Sequence, residues 1–303
     1  MNPQAQPVYA LRIASSPNQP ESLALCLRAI LGWSGSHLDY SEICCALATA
    51  VMVSYCRTAR LEDRWNTFGR HAFVEEAARE AGLELRALHP PQAAPTPPAP
   101  SEFEWHWRDS YMPLVRASLE RGEPVLAWMG WPPPNDSDWG IITAIDNDGV
   151  ARGVTPGCGN VPVRLAGPPV QVYCATRIDA QETLRHDRLK SMLIRFGRVL
   201  RNELPEAFGV VTGVPALKAL QGQPSAEIVQ SAIKRMVSDR AGAGSVLLKF
   251  AVDADSRWRT RVERIADAIN EQASFAERVD QSPQPDDIDK LIELEERIAD
   301  LMP

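Results

Sequence analysis

Strand signals nearly vanish from this chain after about Asp179, and that change of periodicity constrains its fold more than any other feature. Before it, short apolar runs rich in β-branched residues alternate with helices. Beyond it, the apolar spacing is helical throughout. In the first part, Pro7–Ile13 reads as a short strand. A helix follows over about Glu21–Leu31, with Asn18 and Glu21 at capping-box spacing, Pro20 in its first turn and Gly32 at its end. A largely apolar, buried helix is expected over Tyr40–Tyr55, an amphipathic helix over Ala72–Ala81 and a strand over Leu83–Leu88. Residues 89–100, HPPQAAPTPPAP, carry six prolines and read as an extended, solvated connection. A helix over Asp109–Arg121 then leads into strands at Pro124–Met129, Trp139–Ile145, Val150–Val154, Val161–Arg164 and Val170–Cys174. Helices followed by an antiparallel strand series give the α+β class. The second part predicts helices over Ala180–Leu204, Val214–Leu220, Ser225–Val237, Arg257–Ser274 and Asp286–Leu301. Two domains result: an α+β domain, 1–176, with a proline-rich loop at 89–101, and an all-helical domain, 177–303.

Composition excludes several function classes. The chain has 32 Lys+Arg against 39 Asp+Glu, a net charge of −7, and no block of like charge, so neither a nucleic-acid nor an anionic-membrane surface is expected. Its longest apolar runs, such as Cys44–Val53, fall short of the about 20 residues a membrane span needs. The start, MNPQAQPVYALRIASS, has no basic segment followed by an apolar one, so a cytoplasmic location is expected. The six cysteines (Cys26, Cys44, Cys45, Cys56, Cys158, Cys174) match neither a zinc site nor a CxxC pair, and reduced, buried thiols follow. With no P-loop, no GxGxxG after a strand and no HExxH, no cofactor and no metal are expected. Ile288, Leu291, Ile292, Leu294, Ile298 and Leu301 form an apolar stripe on the last helix, read as a packing face; these C-terminal helices are also where self-association would occur.

Three segments carry a resemblance. Residues 21–33, ESLALCLRAILGW, resemble the opening helix of papain-like bacterial proteins, in which an acid precedes Cys and Gly follows ten residues after it. Residues 40–55, YSEICCALATAVMVSY, resemble the second helix of the butirosin-biosynthesis protein H N-terminal-domain family. Residues 123–146, EPVLAWMGWPPPNDSDWGIITAID, resemble the hairpin shared by that family and the papain-like bacteriocin-processing cysteine peptidases. The likeness covers about residues 8–175 and implies a papain-like cysteine-peptidase fold. It also implies a helix-N-terminal Cys as nucleophile, a His on a distant strand as base and a third polar residue orienting that His. In this chain those positions fall on Ser22, Asp138 and Thr155. A hydroxyl needs a base, and a carboxylate with a pKa near 4 is a poor one. The resemblance therefore implies a pseudoenzyme whose cleft binds a peptide, an amine or an acyl-carrier-type ligand.

Two alternatives stay open. One is an active acyltransferase or amide hydrolase using Ser22, or Cys26 with Gln19 as oxyanion donor; its partner would be His37, His71, His89, His106 or His186. The other is a structural or assembly protein. Tryptophan is dense around the hairpin, and Trp65, Asn66, Trp128, Trp131 and Trp139 are candidates to line the ligand pocket. The same indoles would equally fill a core between sheet and helices.

Overall fold

The computed structural model describes residues 7–14, 16, 19–60, 64–88, 104–159, 161–178, 185–204, 209–222, 225–252, 254–282, 284 and 286–303. The fold is mixed α+β with antiparallel sheets. It divides into two compact units, each discontinuous in sequence: 1–40 with 74–181, and 41–73 with 182–303. One cut near residue 176 therefore does not reproduce the units, because residues 41–73 run with the second. The proline-rich stretch 89–100 and Asn18 lie outside the described residues.

The first unit contains helix α1 (Ser22–Ser34), helix α3 (Val74–Glu80), helix α4 (Met112–Glu120) and a six-stranded sheet. Its strands are β2 (Leu83–Ala87), β3 (Val125–Trp128), β4 (Trp139–Ile145), β5 (Ala151–Val154), β6 (Val163–Arg164) and β7 (Gln171–Arg177), in the order β2-β7-β3-β4-β5-β6. Every pairing is antiparallel. In register, Trp128 faces both Trp139 and Gln171, while Val125 faces Ile142 and Cys174. Alternation then gives one sheet face to Val125, Ala127, Ile142, Val172 and Cys174, which pack with Met112 and Val115 of α4 and with Trp131. The opposite face carries Leu126, Trp128, Trp139, Ile141 and Tyr173. Helix α1 packs on β4, and α3 on β2. Two local expectations change. Residues 8–10 form a 3-10 turn rather than a strand, and 107–111 make a π turn before α4 begins.

Helix α2 (Tyr40–Ala46) begins in the first unit and continues in the second. The long helix expected over 40–55 stops early. Ala48 takes a left-handed backbone (φ 59°), residues 49–51 make a 3-10 turn, and Ser54–Cys56 become strand β1. Thr49 Oγ1 donates to Cys44 O at 3.2 Å, so the side chain takes a carbonyl that a longer helix would have used. Six helices follow among the described residues of the second unit: α5 (Arg185–Leu200), α6 (Val214–Gln221), α7 (Ala226–Arg240), α8 (Ala243–Ala251), α9 (Ser256–Gln281) and α10 (Asp287–Leu301). The unit is not all-helical, because β8 (Val210–Thr212) pairs antiparallel with β1, Ser54 opposite Thr212. Helix α8 was not anticipated. Its sequence, AGSVLLKFA, is apolar nearly all round and follows a short glycine-containing link, Ala241–Gly242, so periodicity gives it no clear start.

Candidate functional site

The site is built at the N-terminus of α1. Glu21 is the N-cap, its side chain accepting from Leu23 N at 3.4 Å, and its own N–H donates to the Tyr40 hydroxyl at 3.0 Å. Ser22, the first helical residue, accepts from Trp139 N at 3.1 Å through its Oγ. One bond thus closes the start of α1 onto the start of β4, across 117 residues of sequence. The position expected to hold a nucleophile is thereby brought beside the residue that follows the expected base, Asp138.

Cys26 lies one turn further along α1 and is 0% exposed. Burial pushes its thiol well up from the ordinary value, and the charges of Asp138, Glu21 and Cys158 push the same way. Asp138 and Glu21 therefore stand close enough to Cys26 to disfavour thiolate, the reverse of what a cysteine nucleophile needs. Gln19, the expected oxyanion donor, has its Oε1 engaged by Arg28 Nη1 at 3.4 Å, and Arg28 also donates to Ala14 O.

Thr155 is fully buried, and among the described residues its Oγ1 makes no hydrogen bond to another side chain. Its backbone is tied to Cys158: the Sγ accepts from Thr155 N and donates to Thr155 O, each at 3.1 Å. This bonding closes the 3-10 turn Pro156–Cys158, which packs against α1. Gly157 in that turn lies close to the Asn135 side chain. A Cβ there would lie 1.9 Å from Asn135 Oδ1, on the loop that leads to Asp138. Helix α1, the 135–138 loop and the 155–158 turn thus converge, with Ser22, Asp138 and Cys158 half-buried where they meet.

The aromatic candidates separate. Trp128, Trp131 and Trp139 are 3%, 1% and 3% exposed, so they fill the core of the first unit instead of lining a pocket. Trp128 stacks on Trp139 at 5.9 Å between ring centroids, and Trp139 lies against Tyr173 at 6.2 Å. The indole of Trp131 covers Gly140 so closely that a Cβ there would lie 2.4 Å from Cζ2. Trp65 and Asn66 belong to the second unit. Trp65 packs against Tyr55 at 4.6 Å within that unit's apolar core. Asn66 is buried, accepting from Ser54 N at 3.0 Å and donating to Ala232 O at 3.4 Å. These two residues hold the 41–73 segment in place within the second unit.

Among the histidines, His37 and His106 are exposed, the latter against the Trp105 ring, and His71 lies in the second unit. His89 lies outside the described residues. Glu21, Tyr40 and Cys158 are the participants that sequence reasoning did not assign to the site. Glu21 is visible in the sequence as the acid of a capping box and of the resembling helix, Cys158 only as part of a PGCGN turn, and Tyr40 only as the first residue of an expected helix. Among the described residues, no group of three or more His, Cys, Asp or Glu is gathered to hold a metal ion, and no helix is long and apolar enough to cross a membrane. No family model matches the chain, and no curated protein matches it.

Proposed function

We propose that the first unit is a papain-like module of the butirosin-biosynthesis protein H type whose nucleophile and base have been replaced, and that it binds a peptide, amine or acyl-carrier-type ligand without turnover. The bond from Trp139 N to Ser22 Oγ carries this reading, because it joins the two elements on which such enzymes place nucleophile and base. Asp138, the residue before Trp139, stands where the resemblance expects a histidine. The alternative nucleophile, Cys26, is opposed by its burial and by the acids that hold it as thiol. With the three hairpin indoles in the core, recognition falls to the half-buried polar groups Ser22, Asp138 and Cys158. A cytoplasmic, reducing setting suits a chain whose six cysteines are all free.

Two measurements test this. Incubation with an acyl thioester, followed by intact-mass analysis, is expected to leave the protein unacylated; a stoichiometric acyl adduct on Cys26 or Ser22 would overturn the pseudoenzyme reading. The double variant Ser22→Cys/Asp138→His, in contrast, is expected to contain one thiol that reacts with iodoacetamide about tenfold or more faster than any wild-type cysteine, as a histidine neighbour stabilises thiolate. Uniformly slow thiols in that variant would show that positions 22 and 138 are not a nucleophile–base pair in disguise.

A further inference from the structure

We propose that β2 is a self-association edge, along which two copies of this chain pair antiparallel about a two-fold axis at Leu85. β2 is an end strand of the six-stranded sheet, and its register shows which backbone groups are already used. Ile178 N donates to Gly82 O at 3.1 Å and Leu88 N to Val172 O at 2.9 Å, so the even-numbered positions, Glu84 and Arg86 among them, exchange their bonds with β7. The N–H and C=O groups of Leu83, Leu85 and Ala87 therefore point out of the sheet edge. Among the described residues, no backbone group pairs with them.

A bare edge is a template for another strand, and native sheets blunt their edges by shortness or by charge. The opposite edge is blunted in both ways: β6 has 2 residues, and Arg164 is bound to Asp146 and Asp148 at 2.9 and 3.1 Å. β2 has 5 residues, and its side chains select one partner. Leu83 and Leu85 are buried on one face, whereas Glu84 and Arg86 stand exposed on the other. An antiparallel copy centred on Leu85 sets Leu83 against Ala87 and Glu84 against Arg86 of the second copy, each twice by symmetry. The outward backbone groups of 83, 85 and 87 then bond to one another. Positions 84 and 86 become the closer, non-hydrogen-bonded pair, where opposite charges attract and like charges repel. Two lysines at these positions would refuse a second copy; Glu-Leu-Arg is its own complement.

Sedimentation equilibrium of the full chain at low salt, from micromolar to near-millimolar concentration, tests the pairing. The wild type is expected to dimerise reversibly. Glu84→Arg and Arg86→Glu each turn both cross-strand pairs into like-charge pairs, and each is expected to weaken the dimer about tenfold. Both side chains are exposed, so circular dichroism should show either variant folded as the wild type is. Mixing the two variants sets a doubly positive strand against a doubly negative one and is expected to return association to wild-type strength. That rescue is specific to the register, since it requires 84 to lie opposite 86. A wild type that stays monomeric throughout, single variants that dimerise as the wild type does, or a mixture that associates no better than either variant alone would each overturn the pairing.

Discussion

The two units bury different chemistry. In the first, the sheet is sandwiched by aliphatic and indole side chains, and its ion pairs lie at the surface, as where Arg152 and Arg164 meet Asp146. In the second, charge is inside. Arg70 meets Asp239 at 2.7 Å, and Arg240 meets Glu295 at 2.8 Å, with all four side chains no more than 4% exposed. The guanidinium of Arg70 also donates to Thr49 O and Met52 O, and that of Arg240 donates to Val51 O. Buried guanidiniums thus bind carbonyls of the 49–52 turn, which makes no regular backbone ladder of its own. The first unit satisfies its buried backbone through a sheet; the second does so, for its inserted segment, through charged side chains. Charge placed there has no water to fall back on, so the two units should respond very differently to equivalent substitutions.

The sharpest way to break the comparison is to remove one member of the buried cluster. Glu295 receives Arg240 Nη2 and Gln272 Nε2, and Gln272 also accepts from Arg240, joining α7, α9 and α10. Glu295→Ala leaves a buried guanidinium without its counter-charge and is expected to cost about 3–5 kcal/mol, measured by urea unfolding. Replacing all three with apolar residues (Arg240→Met, Gln272→Leu, Glu295→Leu) is expected to recover most of that loss, since a buried pair pays heavily for desolvation. A triple variant less stable than Glu295→Ala would show that the carbonyl of Val51, rather than Glu295, is the partner that matters.

The matching test in the first unit is steric. Gly140 lies under the Trp131 indole, and an added Cβ would also come 2.8 Å from Val154 O, which belongs to a paired strand and cannot retreat. Gly140→Ala is therefore expected to cost about 1–3 kcal/mol as an overpacked core, with little dependence on pH or salt. A loss that varied strongly with salt would blur the distinction between an apolar and an ionic interior.

The same division explains what could be read from the sequence. Strands β3, β4, β5 and β7 were legible because each is a short apolar run bounded by turn residues, and α10 was legible from its stripe of Ile288, Leu291, Ile292, Leu294 and Ile298. The end of α2 was hidden, since the run ICCALATAV is equally apolar in helix and turn, and only the left-handed Ala48 with the Thr49 side chain decides between them. Strand β8 was hidden because three residues, VVT, acquire meaning only opposite Ser54–Cys56, about 155 residues away. The assignment of residues 41–73 to the second unit was hidden for a related reason. Arg70, Asp239 and Arg240 look like ordinary surface charges in a helical pattern, and nothing in their spacing announces burial. At the site, Ser22 and Asp138 carry no signal of their own outside the resemblance, and the tryptophans misled, because an indole-rich hairpin has the same composition whether it lines a pocket or fills a core.

The smallest expected effect sharpens the comparison from its surface side. Asp146, on the β4–β5 hairpin, accepts from Val150 N at 2.9 Å and Asp148 N at 3.1 Å, and it meets Arg152 and Arg164. The Val150 N–H, and then Arg152 and Arg164, hold its carboxyl below the usual aspartate value of 3.8. A carboxyl whose pKa is lower in the folded chain than in the unfolded one contributes stability above the unfolded value, and that contribution is lost as pH falls through the folded value. Asp146→Asn should therefore lower the Tm slightly at pH 7, with a gap from wild type that narrows once the pH drops below about 4. High salt should also narrow it, because Arg152 and Arg164 are nearly half exposed and their pairing is screened. The Glu295→Ala loss, made where solvent and counter-ions do not reach, should hold its size across the same salt range. If both gaps closed together in salt, the ionic interior of the second unit would be as wet as the surface of the first, and the contrast between them would fail.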